Sequence, residues 1–313
     1  MTELLQCLPL KCTTGEQLED SGFRRGAGTH LRQHGGPSHP RPAQGSFGTL
    51  EGMARSSSIP GTLLAAGGAA ALAAGAYAYA AMWPASQIFG RCVVAGKNPR
   101  QIALTFDDGP NDPDTMHLLD VLAKNDVRAT FFMIGRFVRQ RPELARAVAA
   151  AGHLIGNHTM THPLLPLRSR RAVRQEIGDC NAALEDALGQ PVQWFRPPHG
   201  GRRPDVLRTA RELGLTPVMW NAMGYDWKPI ASQTIVQNVM RGYRKNRTRG
   251  FGTNVLLHDG GQQCLGQDRS RTVAATAHLI ATWRDELARR GELCEFVTPE
   301  AWAETSCGRI STD

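Results

Sequence analysis

From about Arg100 the chain alternates short apolar runs, rich in β-branched and aromatic residues, with longer stretches of helical period. That rhythm restricts the fold more than any other feature. Strand candidates fall at 102–106, 130–134, 153–156, 193–195, 216–220, 254–258 and 294–297. Helix candidates fall at 114–124, 142–151, 169–188, 204–213, 232–243, 270–290 and 299–304. A strand followed by a helix, repeated about seven times, implies parallel strands, because each parallel pair needs a crossover to return the chain to the same edge. The predicted class is α/β, as a closed barrel or an open doubly wound sheet.

The residues able to do chemistry sit just after strand candidates. The first strand ends in Thr105-Phe106-Asp107-Asp108-Gly109-Pro110. Within a strand two neighbouring Asp would face opposite ways, but at a strand end, where Gly109 and Pro110 turn the chain, both can face one site. Two close carboxylates repel, so both stay ionised only beside cations; a metal on one and an Arg on the other would separate their roles. Alone, the hexapeptide reads equally well as an Asp-rich turn before a helix.

His158-Thr159-Met160-Thr161-His162 follows the third strand candidate. Two His four apart on a helical turn can grip one metal, and Asp108 would make a third ligand. Two imidazoles and one carboxylate suit zinc or a similar divalent ion with a position left for water. In Arg196-Pro197-Pro198-His199-Gly200 two prolines stiffen the backbone and leave the His199 and Gly200 N–H groups free to face an oxyanion, while Arg196 can pair with Asp107. Tyr225-Asp226-Trp227 follows the fifth strand candidate, and Val255-Leu256-Leu257-His258-Asp259-Gly260 contains the sixth; a His at a strand end with an Asp nearby can serve as general acid.

Lys and Arg exceed Asp and Glu by 8, from 36 against 28, and residues 1–52 hold five of each, so the excess lies from Met53 onward. A basic catalytic part suits an anionic partner such as cell-wall polymer or a membrane surface. No Cys/His finger spacing or base-stacking motif points to nucleic acid. The seven cysteines include no Cys-x-x-Cys pair, which argues against a thiolate zinc site or a redox motif; in an exported protein one or two pairs among the last five could be oxidised, with mostly buried free thiols the slightly favoured expectation.

Residues 1–55 are expected to be disordered, being rich in Gly, Pro, Arg, His and Gln without an apolar period. Met53-Ala54-Arg55 resembles a natural start, which would place residues 1–52 upstream of it. No charge occurs from Ser56 to Gly90, so 56–90 reads as an apolar signal or membrane anchor. Residues 61–83 are long enough to cross a bilayer core of about 30 Å, whereas Ala78-Tyr79-Ala80 offers a small-x-small cleavage site ending at Ala80. The protein is therefore expected at the cell envelope or exported.

The five motifs, in this order and spacing, resemble the polysaccharide deacetylase family, the NodB-type carbohydrate esterases of family four, over about residues 98–305. The resemblance implies a distorted (β/α) barrel of about seven parallel strands that uses a divalent metal, zinc before cobalt, to remove acetyl groups from N-acetylglucosamine polymers or acetylated xylan. It implies Asp107 as base, Asp108, His158 and His162 as metal ligands, and Arg196 as the partner of Asp107. It further implies the His199 N–H as oxyanion donor, Asp226 as partner of His258, His258 as acid, and Trp227 with Leu256 as the acetyl-methyl pocket. One departure bears on substrate: where the family's fourth motif often has a second Asp, this chain has Met223. Competing readings are hydrolysis of a small non-sugar or cyclic amide, and a wall-binding pseudoenzyme.

Overall fold

The computed structural model describes residues 61–306, with side chains from 68 to 303. The expected disorder of residues 1–55 and the start of the apolar segment lie outside the described residues. The chain divides into units at 1–69 and 70–313, and everything described below from residue 70 onward belongs to the second.

Helix α1 (Gly61–Met82) comes first. It is mostly Ala and Gly, which bring little apolar surface per residue. Among the described residues no helix is long and apolar enough to cross a membrane, so the anchor expected over 61–83 gains nothing from the fold. Its C-terminal end instead packs down, burying Ala80 and Ala81.

The sheet is wholly parallel, with the distorted (β/α) barrel arrangement that the motifs implied. Its strands are β1 (Gln101–Asp107), β2 (Thr130–Met133), β3 (Leu154–Asn157), β4 (Trp194–Phe195), β5 (Thr216–Pro217), β6 (Ala222–Met223), β7 (Thr253–His258) and β8 (Glu295–Phe296). They lie in the order β5-β4-β3-β2-β1-β7-β6, with β8 on the start of β1. The covering helices are α2 (Asp114–Lys124), α3 (Gly135–Gln140), α4 (Pro142–Ala150), α5 (Arg170–Leu188), α6 (Pro204–Glu212), α7 (Ser232–Thr248), α8 (Ser270–Ala288) and α9 (Glu300–Ser306). Two elements escape the sequence pattern. β6 is two residues long and follows β5 with no helix between; the strand expected at 216–220 shortens to β5, and β6 lies beyond it as a strand that was not expected. α3 is a six-residue helix with no room for an amphipathic period.

Alternation along β1 divides the core. Ile102, Leu104 and Phe106 face the helices, joining Leu118, Phe131 and Leu257, while Ala103 faces inward with Phe132, Trp194, Val218 and Trp302. Thr105 and Asp107 share that inner face. The interior also takes residues from before the barrel: Val93 forms a parallel bridge with Val218, and Cys92 packs with Leu207, Met219, Trp220 and Leu256. The packed body thus begins ahead of residue 98, where the motifs alone placed its start. Cys92, Cys180 and Cys294 are free thiols, Cys92 and Cys180 buried, whereas Cys264 is disulfide-bonded, so the free-thiol expectation holds only in part.

Candidate active site

Register gathers the chemistry at one rim. Asp107 lies opposite both Phe132 and His258, and Asn157 lies opposite Met133 and Phe195, so β1, β3, β4 and β7 end level with one another. The residues that follow, Asp108, His158 and Arg196, therefore converge as neighbours. Asp108 reaches the same side as Asp107 because its φ is 72°, a left-handed turn that cancels the strand's alternation.

Arg196 is fully buried beneath this rim. Its Nη1 donates to Asp107 Oδ1 at 2.8 Å and to Thr105 Oγ1 at 2.7 Å, and its guanidinium lies 4.2 Å over the Phe132 ring. Burial lowers its pKa, and the Asp107 charge opposes that shift.

Asp108, His158 and His162 form the one group of potential metal ligands among the described residues. The Nε2 atoms of His158 and His162 lie 3.5 and 3.2 Å from Asp108 Oδ1. His158 Nδ1 donates to the Arg196 carbonyl at 2.7 Å, which fixes the ring with Nε2 turned toward Asp108. Asp108 Oδ1 is buried with no hydrogen-bond donor, as is His162 Nδ1. Burial lowers the His162 pKa to about 3, so its ring is neutral. Burial would raise the Asp108 carboxyl, but the surrounding imidazoles outweigh it and hold the group below its usual range. A neutral His162 ring and the His158 Nε2 beside a donor-less Asp108 oxygen fit a divalent cation.

The backbone that presents the two His is not the helical turn expected. Thr159 and His162 have φ of 67° and 64°. Thr159 N–H donates to Asn157 Oδ1, His162 N–H to Thr159 Oγ1, and Met160 N–H to the Glu176 carbonyl. Local side-chain acceptors replace helical bonds, and the two rings still converge, with centroids 4.9 Å apart.

His199 has φ of 56°, and its N–H donates to no group among the described residues. Its ring meets that of His162 edge-on at 4.6 Å. On β7, His258 Nδ1 meets Asp226 Oδ1 at 2.8 Å, while His258 N–H and Thr272 Oγ1 both donate to Asp226 Oδ2 at 2.8 Å. Burial would lower the His258 pKa, but the Asp226 charge and hydrogen bond outweigh it and raise it. The Asp226 carboxyl is in turn held low, its burial outweighed by His258. Trp227, 43% exposed, stands edge-on to His258 at 5.3 Å. Leu256, two residues before His258 on the same face, is buried against Trp220. Met223, at the place of the absent Asp, packs against the same cluster.

Other contributors were given no role by the sequence, although Asp259 stands within the fifth motif. Asn111 donates through Nδ2 to the Asp259 and Gln267 carbonyls and accepts from Gly266 N–H, tying the loop after β1 to the loop after β7. Buried Asp259 accepts from Thr115 Oγ1 at 2.6 Å, and burial raises its pKa to about 7. Asn, Thr and Asp are ordinary loop residues, and only the tertiary contacts distinguish these.

Residues 95–218 match the family described as polysaccharide deacetylase. A chitooligosaccharide deacetylase of Rhizobium leguminosarum bv. trifolii is 44% identical over 167 residues, 53% of this chain and 74% of the relative. A peptidoglycan-N-acetylglucosamine deacetylase of Bacillus cereus is 38% identical over 203 residues, 64% of this chain and 87% of the relative. A family 4 carbohydrate esterase from Streptomyces lividans, solved with acetate, aligns with a TM-score of 0.54 at 32% identity, covering 64% of this chain and 95% of that one.

Proposed function

The chain belongs to the polysaccharide deacetylase family, and from that premise we propose that it hydrolyses N-acetyl groups from an N-acetylglucosamine polymer of the chitin or peptidoglycan kind. The observation that carries this reading is the Asp108–His158–His162 group lying between two further pairs, Asp107–Arg196 and Asp226–His258. Such an arrangement supplies a cation site, a base and an acid in one place.

In this reading Asp108, His158 and His162 hold a divalent ion, zinc by the chemistry of two imidazoles and a carboxylate. When bound, the ion supplies Lewis acidity toward the acetyl oxygen and lowers the pKa of water. Asp107, oriented by Arg196, accepts the proton of the attacking water. The unpartnered His199 N–H donates to the acetyl oxygen as negative charge grows on it. His258, kept protonated by Asp226, donates from Nε2 to the sugar nitrogen as the carbon–nitrogen bond breaks, giving acetate and a free amine. Trp227 and Leu256 border the space for the acetyl methyl. The work takes place in the cell envelope or after export, a reading supported by relatives named for peptidoglycan.

Acetate release from peptidoglycan, chitin oligomers and acetyl-xylan, measured side by side, tests the proposal. Release from at least one N-acetylglucosamine polymer is expected, with acetyl-xylan slower. Turnover of small cyclic amides with none of these polymers would contradict it.

A further inference from the structure

Arg202 belongs to none of the motifs, is 1% exposed and pairs with no carboxylate among the described residues. Its donors go to carbonyls instead. Nη2 reaches Trp83 O at 2.6 Å and Ser86 O at 2.8 Å, Nη1 reaches Gly200 O at 3.0 Å, and its backbone N–H reaches Ala81 O at 3.0 Å. Burial lowers its pKa, with only the more distant Cys92 thiol acting the other way. A guanidinium held without a counter-charge is costly to bury, and its rigid planar fork suits it to fixing two backbone segments against each other.

One of those segments is the turn that carries the His199 N–H. His199 and Gly200 are consecutive left-handed residues, with φ of 56° and 68°, and a left-handed non-Gly residue is strained unless its surroundings hold it. The turn's own bonds are Gly200 N–H to Pro197 O and Gly201 N–H to Pro198 O. From outside, the Trp220 ring lies against Gly200, where a Cβ would come within 2.9 Å of it, and Arg202 grips the Gly200 carbonyl.

We propose that Arg202 is a positioning residue for the deacetylation proposed above. By joining residues 81–86 to the Gly200 carbonyl, it holds the left-handed turn so that the His199 N–H stays aimed at the acetyl oxygen. The segment ahead of the barrel is then part of the catalytic apparatus. An oxyanion donor contributes about 10²–10³-fold to turnover, and a donor displaced rather than deleted forfeits part of that.

The test uses the full chain loaded with zinc, comparing wild type, Arg202→Met and Arg202→Lys by acetate release from a chitin oligomer, bound-zinc stoichiometry and hydrogen exchange of the 199–201 amides. Expected are a kcat lower by about 10- to 100-fold in Arg202→Met, a KM within about twofold, unchanged zinc, faster exchange of the turn, and partial recovery in Arg202→Lys. If Arg202→Met does not fold, Arg202→Lys carries the comparison with an expected fall in kcat of a few fold. A folded variant with wild-type kcat, or one whose loss lies in KM alone, overturns the proposal. A merely structural role would lower Tm and leave kcat per folded molecule unchanged. Inactive wild-type protein would contradict the function and leave the coupling decided by exchange: faster in the variants supports it, unchanged overturns it.

Discussion

His258 shows how one residue's role depends on a neighbour from elsewhere in the chain. Burial pushes an imidazole towards neutrality, yet Asp226 lies 2.8 Å from its Nδ1, and the result is a pKa above the usual 6.5. The protonated form therefore persists above pH 6.5 and is lost as pH rises through the raised value. Activity should fall on an alkaline limb reporting His258, as one side of a bell-shaped profile. Asp226→Asn keeps the shape but removes the charge, so that limb should move to lower pH and kcat should fall by about 10²-fold or more, with bound metal unchanged. A limb that stays in place would assign the leaving-group proton to another group. At this scale Asp107, Asp108, His158, His162, Arg196 and His258 were legible as a set, because carboxylate, imidazole and guanidinium recur at successive strand ends, although the Asp-Asp turn alone reads equally well as a helix cap. Asn111, Asp259 and Arg202 were not, because an amide, a second carboxylate or one more Arg in a loop acquires meaning only from what it touches.

Among the elements, legibility followed length and period. α2 was read to its ends, because Asp114 and Lys124 match the helix dipole at each terminus and Leu118, Leu119 and Leu122 keep one face apolar. β6, α3 and the non-helical 158–162 turn were hidden, since each is shorter than a repeat of its pattern. The largest revision concerns the segment before residue 98. Val93 supplies N–H and carbonyl bonds to Pro217 and Met219, and it is 4% exposed. Beginning the chain at residue 98 removes Val93 and Cys92, whose burial contributes roughly 1.5–3 kcal/mol each, so thermal unfolding should show a fall of many degrees or no folded protein. Beginning at residue 70 should leave Tm within a few degrees of the full chain. β3 allows a finer test. A Cβ on Gly156 would lie 2.4 Å from the Phe132 ring on which Arg196 rests. Gly156→Ala should cost about 1–3 kcal/mol in urea unfolding and lower turnover, because the ring must move and the guanidinium with it. Unchanged stability would mean that the inner layer is more yielding than its packing suggests.

The whole molecule carries an excess of 8 positive charges, all arising from Met53 onward. Surface charge acts over about 8–10 Å at physiological salt and raises the local concentration of an anionic polymer. With acidic wall polymer as substrate, kcat/KM should fall as salt rises from about 0.05 to 0.5 M, while a neutral chitin oligomer should respond little. Equal salt response for the two would remove any role for the basic surface. The alternation of strand and helix made the α/β class readable at this scale, and the barrel came from the resemblance the motifs carried. The interior was less readable. Trp302 of α9 fills one part of it, with its Nε1 on Gln101 Oε1 and its ring against Gly96 and Gly252, and nothing in a seven-residue terminal helix announces that.

The central claim is that one cluster holds the metal while the carboxylate beside it does the proton work. Bound zinc and acetate release, determined together on wild type, His162→Ala and Asp107→Asn with a chitin oligomer, test it most directly. The account predicts one zinc and full turnover in the wild type, neither in His162→Ala, and one zinc with turnover reduced by at least about 10²-fold in Asp107→Asn. Loss of zinc in Asp107→Asn, or acetate release by His162→Ala in the presence of a chelator, would contradict it.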